Sequence, residues 1–207
     1  MVQLIRREAG TAPVYLCGES FGACLALRVL ALAPALASHL ILINSASSFH
    51  RFPWLQWVAN LTAWIAPPLY KSSAVTSLPM LANLSRIDAA NRQALLRAMG
   101  AVSQDSAAWR LMLLSQFRLE PLRLQRITAP TLLVASLGDR LLPSLEEAQR
   151  LAALFPNPRI YPLPHSGHAS LLEDGVNLGA ILAAVDFLPH RDRPSLAPEG
   201  HHAPLAS

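Results

Sequence analysis

A serine between two glycines is the first feature of this sequence that could do chemistry. Residues 18–22 read GESFG, a G-x-S-x-G pattern with Ser20 at its centre. An apolar stretch that predicts a strand precedes the pattern, and a stretch of small and apolar residues that predicts a helix follows it. At such a sharp turn, Gly18 and Gly22 are expected to relieve clashes with the strand and the helix while the serine hydroxyl projects from the sheet. The pattern predicts a nucleophile, with an ordinary glycine-rich turn as the alternative.

A serine hydroxyl becomes nucleophilic only beside a general base. Asp139 follows a predicted strand at 130–136, and His168 follows a predicted strand at 159–163. Since the carboxyl ends of parallel strands meet at one edge of a sheet, both residues are expected near Ser20. We expect His168 to accept the serine proton and Asp139 to orient the imidazole and stabilise its charged form.

Neighbouring residues suggest an alternative base, an alternative role for Asp139 and a donor for an oxyanion. His165 lies three residues before His168 and is the alternative base, although a supporting role in the loop is the better interpretation. Asp139 follows a glycine, so an ordinary turn aspartate is its alternative role. The backbone N–H of Phe21, at a predicted helix N-terminus, is expected to stabilise an oxyanion.

The predicted elements that must position these residues alternate between strands and helices. Continuous apolar strands indicate a sheet covered on both faces, and the alternation predicts an α/β fold with a parallel sheet. The expected strands are 13–18, 39–44, 130–136 and 159–163, and the expected helices of this layer are 2–9, 21–35, 144–155 and 171–188. Ser144 and Glu147 have the spacing of a capping box. Residues 189–207, rich in proline, histidine and charge, are expected to be a disordered tail.

Residues 47–126 contain amphipathic helical stretches without a clear strand, which predicts a helical cap inserted after the second strand. The apolar positions near its start share one helical face: Trp54, Trp57, Leu61, Trp64 and Ile65. Packing against the core is one interpretation of this face. The other is a lipophilic lid over an acyl pocket, or a peripheral contact with a membrane. The stretch is too short and too interrupted for a spanning helix.

Composition excludes several classes of protein. Hydrophobic residues make up 52% of the chain and charged residues 14%, so the chain is not a disordered polymer. The net charge is +4, and the basic residues are dispersed arginines with a single lysine, so we expect no nucleic-acid partner. Cys17 and Cys24 suit reduced, packed thiols, and no metal set or disulfide framework is visible. The N-terminus has no secretory signal, which predicts a cytoplasmic protein.

Together, "GESFG", "LGDRLLP" and "HSGHASLLED" resemble the motifs of the α/β-hydrolase superfamily over residues 10–188. Residues 13–49 more narrowly resemble the esterase/lipase/thioesterase group that includes the phytyl ester synthases, which also act as diacylglycerol acyltransferases. The resemblance implies Ser20 as nucleophile, Asp139 as acid and His168 as base. It also implies hydrolysis or transfer of an acyl group from a lipid-like ester, with no metal or organic cofactor.

The chain departs from this family at its N-terminus. α/β-Hydrolases have eight strands with the nucleophile after the fifth, whereas the first recognisable strand here is the one before Ser20. We therefore expect a C-terminal part of the fold, without the first strands and without the loop that donates the second oxyanion N–H. The strand at 13–18 would then be an exposed edge, which suggests a fragment or truncated reading frame.

Two alternative functions remain open at the level of sequence. A catalytically impaired fragment or non-catalytic interaction module would keep the fold without a working oxyanion hole. An aminopeptidase would use the same three residues, but it needs acidic residues in the cap to hold the substrate amine. The acidic residues of 47–126 are Asp88, Asp105 and Glu120.

Overall fold

The structure is a computed structural model that describes residues 1–62 and 64–188, with the backbone alone for residues 67, 68, 71 and 74. The chain divides into two units, residues 1–174 and a second unit that begins at residue 175. The first unit contains the sheet and every predicted site residue. The expected tail at 189–207 lies outside the described residues.

A parallel four-stranded sheet lies at the centre of the first unit, with the strands in chain order. The strands are β1 (Tyr15–Glu19), β2 (His39–Ile43), β3 (Thr131–Ser136) and β4 (Pro158–Leu163). Every residue of β3 is buried, and so are the last four of β2, as expected for apolar strands covered on both faces. The predicted α/β class is confirmed. Strand β1 occupies an edge of the sheet, and Cys17 on it is exposed rather than packed.

Helices pack on the sheet and complete the core. They are α2 (Phe21–Leu32), α7 (Pro121–Leu124) and α8 (Ser144–Ala152), whereas the N-terminal helix α1 (Val2–Ala9) has no buried residue. Leu27 and Leu30 of α2 meet Leu133 of β3 and Leu151 of α8 in one cluster of almost inaccessible side chains. Such burial of apolar surface is the main contribution to stability, at about 25 cal/mol per Å². Strands β2 and β3 therefore pack into one core with α2 and α8.

The expected cap is an all-helical insertion between β2 and β3. It contains a 3₁₀ helix (Ala46–Arg51), α3 (Pro53–Thr62), α4 (Pro67–Leu81), a second 3₁₀ helix (Leu84–Arg86), α5 (Ala89–Ala101), α6 (Gln104–Gln116) and α7. A second apolar cluster joins the cap to the core: Cys24, Ala46, Phe49, Leu55, Ala59, Leu114 and Leu142.

Helix α3 packs with the face opposite to the one expected. Leu55 and Ala59 are buried, whereas Trp57 is 66% exposed and Trp64, just after the helix, is 86% exposed. The interpretation that the tryptophan face packs on the core is therefore wrong. Small and medium side chains fit closely against the 3₁₀ helix and α6, and the bulky indoles lie on the other side of α3.

The expected capping box of α8 is also wrong. Ser144 is the first helical residue, after Pro143, and its hydroxyl hydrogen-bonds to the Asp139 carboxylate. Glu147 is buried and binds Ser47 and Arg150 instead of capping the helix. Contacts with other residues therefore replace the capping hydrogen bonds that the sequence predicts for these two side chains.

The last predicted helix is shorter than expected. Residues 170–172 form a 3₁₀ turn, and α9 extends only over Leu178–Ala184 in the second unit. Gly175 has a φ of 82°, which is outside the helical region and interrupts the predicted helix. The Asn177 side chain then accepts a hydrogen bond from the Ala180 N–H and caps α9.

Candidate active site

Ser20 lies in a strained turn between β1 and α2. Its φ of 53° and ψ of −115° are unusual for a residue other than glycine. The Ser20 N–H donates to the Ile43 carbonyl at 2.9 Å, and the Ser20 carbonyl accepts from the N–H groups of Ala23 at 3.1 Å and Ala46 at 3.2 Å. These bonds to α2 and to the residues after β2 hold the strained conformation, as the G-x-S-x-G pattern predicts.

The two glycines of the motif have different roles. A Cβ on Gly18 would lie 2.4 Å from the Gly22 carbonyl oxygen, a distance that the backbone does not allow. A Cβ on Gly22 would meet no atom within 4 Å among the described residues. The expectation that both glycines relieve clashes therefore holds only for Gly18, which lets β1 and α2 approach each other.

Three side chains from separate loops meet at this turn. The Ser20 Oγ lies 2.8 Å from His168 Nε2, and His168 Nδ1 lies 2.7 Å from Asp139 Oδ2. The side chains of His168 and Asp139 are 6% and 1% exposed. Since a carboxylate can only accept, we assign the proton of the neutral imidazole to Nδ1, which leaves Nε2 to accept from the serine hydroxyl. The predicted alternative, His165, is exposed and offers its backbone carbonyl to the Asn83 side chain at 3.0 Å.

Both oxygens of the Asp139 carboxylate accept hydrogen bonds. Its Oδ1 accepts from the N–H groups of Leu141 at 2.9 Å and Leu142 at 3.0 Å, and its Oδ2 also binds the Ser144 hydroxyl. Burial disfavours the charged form, but the hydrogen bond and positive charge of His168 oppose it, followed by the bonds from Ser144 and Leu142. The net effect holds the pKa of Asp139 below its usual value. The fold therefore favours the ionised form of Asp139 beside the imidazole.

The loop that carries His168 is braced by the cap. The Ala169 N–H donates to the Leu81 carbonyl at the end of α4 at 2.7 Å, and a Cβ on Gly167 would lie 2.7 Å from the Asn83 nitrogen. The Gly167 N–H donates to the buried Glu173 carboxylate at 2.7 Å, which forms an ion pair with Arg86 at 2.9 Å. The sequence did not predict this bracing, because the chain separation of 87 residues between Arg86 and Glu173 leaves no local signal.

Glu19, beside the serine, has an unusual environment. Its Oε1 is buried and has no hydrogen-bond partner among the described residues. Burial raises the pKa of Glu19, and the nearby positive charge of His168 only partly offsets this effect. Glu19 is therefore a carboxyl group that the fold holds closer to its neutral form.

Phe21 is the first residue of α2, so its N–H has no intrahelical acceptor and lies at the positive end of the helix dipole. Its position directly after Ser20 is the one at which the α/β-hydrolase elbow provides an oxyanion donor. Among the described residues, no cluster of three potential metal ligands is found. Burial raises the pKa of Cys24 to about 12, so its thiol stays protonated.

The family model described as Hydrolase_4, serine aminopeptidase S33, matches residues 1–174. The chain belongs to this family of α/β-hydrolases.

Two curated relatives and one solved structure place the hydrolase among known proteins. It is 32% identical over 206 residues to phytyl ester synthase 1, chloroplastic, of Arabidopsis thaliana, with 86% of this chain and 29% of that protein covered. Phytyl ester synthase 2, chloroplastic, of the same plant is 27% identical over 202 residues, with 84% and 29% covered. The hydrolase thus spans less than a third of the length of both relatives. The crystal structure of MGS-M2, an α/β hydrolase enzyme from a Medee basin deep-sea metagenome library, superposes with a TM-score of 0.68 at 20% identity, covering 90% of this chain and 70% of that chain.

The four residues expected to form a substrate pocket have different surroundings in the hydrolase. Trp54 and Phe52 line a cavity of about 390 Å³ whose other wall includes Asp139 and Ser144. Trp57, Leu61 and Trp64 are exposed. A smaller and more apolar cavity, of about 250 Å³, lies between α2 and α6, and Phe21 forms part of its wall. No helix among the described residues is long and apolar enough to span a membrane.

Proposed function

We propose that the chain is a serine hydrolase that acts on acyl esters through an acyl-Ser20 intermediate. The observation that carries this proposal is the continuous hydrogen-bond chain from the Ser20 hydroxyl through His168 to Asp139. Each member has the partner that its role requires: the nucleophile touches the base, and the base touches a buried carboxylate.

In the first half of the reaction, the Ser20 Oγ attacks the ester carbonyl carbon while His168 Nε2 accepts the hydroxyl proton. The negative charge that develops on the carbonyl oxygen is stabilised by the Phe21 N–H at the start of α2. His168 then returns the proton to the leaving alkoxide as the ester C–O bond breaks. The second half repeats these steps with water or an alcohol as the attacking group, and the acyl group leaves Ser20.

Asp139 orients and stabilises the base. Its Oδ2 fixes the proton of His168 on Nδ1, and its negative charge stabilises the imidazolium that forms during each proton transfer. The lowered pKa of Asp139 supports this role because the carboxylate stays charged when the imidazole is charged. Leu141 and Leu142 hold the other oxygen, which leaves Oδ2 directed at His168.

We propose a lipid-like acyl ester as the substrate, presented at a membrane surface. The segment 52–70 contains no charged residue, and the cap as a whole, residues 47–126, has nine basic and three acidic residues. Exposed Trp57 and Trp64 suit the membrane interface, where an indole buries its ring and keeps its N–H near water. The basic cap adds attraction to anionic lipids. The apolar cavity beside Phe21 is a candidate site for the acyl chain.

The acceptor distinguishes hydrolysis from acyl transfer. The similarity to phytyl ester synthases supports an alcohol acceptor in addition to water. Transfer would appear as a new ester when a long-chain alcohol is added to a reaction with a p-nitrophenyl acyl ester. Since both reactions share the acyl-enzyme, release of p-nitrophenol would continue whichever acceptor reacts.

An aminopeptidase is the second candidate, favoured by the description of the matching family model. Such an enzyme needs free carboxylates in the cap for the substrate amine. Asp88 instead accepts from the N–H of Asn91 as the N-cap of α5, and Glu120 forms an ion pair with Arg123. These contacts engage two of the three acidic residues of the cap and so favour an ester substrate, whereas Asp105 is exposed in the first turn of α6. Comparison of amino-acid p-nitroanilides with p-nitrophenyl esters of increasing chain length distinguishes the two activities.

The experiment that tests the proposal measures p-nitrophenyl ester hydrolysis by the purified chain and by Ser20→Ala and His168→Gln. We expect a loss of at least about 10³-fold in kcat for each variant, and about the same loss for the double variant, because the residues act as a unit. His165→Gln is the matched control and should keep activity. A folded chain whose esterase activity survives Ser20→Ala would refute the proposal. A folded chain without activity would favour a non-catalytic interaction module.

A further inference from the structure

A buried asparagine connects the three segments that meet beneath the site. Asn44 is the first residue after β2, and it is 1% exposed. Its side-chain Oδ1 accepts from the Ser136 N–H at 2.8 Å, at the end of β3. Its Nδ2 donates to the His168 carbonyl at 2.7 Å and to the Ser136 hydroxyl at 3.0 Å, and it also lies 3.3 Å from the Ser170 hydroxyl. One amide therefore links strands β2 and β3 to the loop of His168.

The partners of this amide fix its orientation. The Ser136 N–H can only donate, so it must face the oxygen of the Asn44 side chain. The His168 carbonyl can only accept, so it must face the nitrogen. A carboxylate of the same shape would present an oxygen to the His168 carbonyl, and two acceptors in contact repel each other. The site therefore requires an amide and not merely a polar side chain.

The backbone adds a second requirement. Asn44 has a φ of 44°, in the left-handed region, where asparagine and glycine are the most readily accommodated residues. Its N–H donates to the Val134 carbonyl at 3.0 Å, so the turn stays in register with β3. Glycine would keep this backbone and lose the amide, which makes Asn44→Gly a clean test of the side chain.

We propose that Asn44 is the positioning residue that sets the His168 imidazole between Ser20 and Asp139. Ser136 lies three residues before Asp139, so the amide holds the base segment against the strand that leads to the acid. His168 must keep both Nε2 and Nδ1 within hydrogen-bond distance at once, at 2.8 and 2.7 Å, and its own carbonyl is the group that Asn44 fixes. This inference rests on the proposed function and adds a residue that does not touch the substrate.

The test compares Asn44→Gly and Asn44→Asp with the unchanged chain. Ser170→Ala removes only the hydroxyl that lies 3.3 Å from the Asn44 Nδ2. Asn157→Gly is the matched control, since Asn157 also uses its amide to bind a backbone carbonyl, that of Thr128 at 2.8 Å, at the opposite end of the sheet. Circular dichroism and thermal unfolding establish that each variant is folded at the assay temperature.

Two readouts separate positioning from mere stabilisation. In steady-state hydrolysis of a p-nitrophenyl ester, we expect Asn44→Gly to lower kcat roughly 10- to 100-fold with an unchanged KM, because a small misplacement of the base slows proton transfer. Asn44→Asp should lower kcat at least as much, Ser170→Ala less, and Asn157→Gly not at all. In proton NMR, the imidazole N–H between His168 and Asp139, assigned by its loss in Asp139→Asn, should broaden or disappear in Asn44→Gly.

The outcomes separate this inference from the proposed function. Folded Asn44 variants with normal kcat and a normal imidazole N–H resonance overturn the inference and leave the function intact. If the unchanged chain shows no Ser20-dependent activity, the proposed function fails, and the imidazole resonance alone decides whether Asn44 positions His168. Loss of this resonance in Asn44→Gly but not in Asn157→Gly then supports the positioning role of Asn44. Persistence of the resonance in Asn44→Gly overturns that role.

Discussion

His168 Nε2 lies 2.8 Å from the Ser20 hydroxyl across 148 residues of chain. Ser20 belongs to a turn after the edge strand β1, and His168 belongs to a loop after the opposite edge strand β4. The contact therefore depends on the whole width of the sheet and on the cap segment that braces the His168 loop.

The two motif glycines should respond oppositely to alanine. Gly18→Ala places a Cβ against the Gly22 carbonyl, so we expect a loss of at least about 2 kcal/mol in the free energy of unfolding. Gly22→Ala meets open space at the second position of α2, and alanine favours helix by up to about 1 kcal/mol, so stability should be equal or slightly higher. Urea unfolding of both variants measures the difference. Equal destabilisation would show that the approach of β1 and α2 is not the reason for Gly18.

Asp139→Asn should reduce catalysis without removing the fold. The amide can donate to His168 Nδ1 and so favours the wrong tautomer, for which we expect a drop of about 10³- to 10⁴-fold in kcat. Measurement of p-nitrophenyl ester hydrolysis at pH 7 checks this drop, with Asp105→Asn, an exposed position in the first turn of α6, as the control. A loss below tenfold would contradict the assigned role of the carboxylate.

The same substitution has a pH signature in stability. Because the folded state lowers the pKa of Asp139, its ionised form stabilises the fold above the ordinary aspartate value near 3.9, and the contribution is lost as the pH falls through the lower folded value. Asp139→Asn should therefore be less stable than the unchanged chain at pH 6–7, and the difference should shrink below about pH 4. Urea unfolding across this range measures it. A difference that grows towards acid would contradict the lowered pKa.

Glu19→Gln should have the opposite pH signature. Burial raises the pKa of Glu19, so the folded state binds a proton more tightly than the unfolded state. Stability is then lost as the pH rises from the ordinary glutamate value near 4.3 through the raised folded value. Glu19→Gln removes this loss, and we expect a higher Tm than the unchanged chain at pH 8 but not at pH 4. Glu146→Gln on α8 is the control. A lower Tm for Glu19→Gln at pH 8 would indicate that the carboxylate has an ionic role.

Trp57 and Trp64, the exposed tryptophans in and just after α3, should determine binding to lipid. We expect Trp57→Ser and Trp64→Ser each to weaken binding to vesicles of phosphatidylcholine with phosphatidylglycerol roughly tenfold, because each removes a large apolar group from the interface. Trp109→Ser is the matched control, since Trp109 is an exposed indole on α6. Co-sedimentation at low and high salt measures the binding. Equal binding by all variants would exclude this face as the contact.

The sheet and the three reactive side chains could be predicted because local signals specify them. The apolar runs around 39–44 and 130–136 specify buried strands, and the glycines around Ser20 specify a tight turn. Position at the end of a strand predicted both His165 and His168 at this edge of the sheet, since parallel strands bring their carboxyl ends together. Gly167 before His168 and the apolar stretch after it favoured His168 over His165.

The supporting residues could not be predicted, because their partners are distant in the chain. The amide of Asn44 binds groups 92 and 124 residues away, and no sequence motif marks Asn44 as their partner. The buried face of α3 was predicted wrongly because apolar residues occur at helical spacing on two sides of this helix. The tryptophans lie on one side, and Leu55 and Ala59 lie on the other. Which face is buried depends on the shape of the surface it meets, here the 3₁₀ helix and α6. Glu147 was also predicted wrongly. Its spacing from Ser144 is that of a capping box, but its carboxylate makes a buried contact with Ser47 instead.

The central claim is that Ser20 forms a covalent acyl intermediate, and intact-mass spectrometry after brief reaction with a p-nitrophenyl acyl ester tests it most directly. We predict a mass increase equal to one acyl group, located by peptide mapping to the segment that contains Ser20 and absent from Ser20→Ala. It should also decay as product forms. A folded chain that releases p-nitrophenol without this adduct, or that carries the adduct equally in Ser20→Ala, would contradict the account.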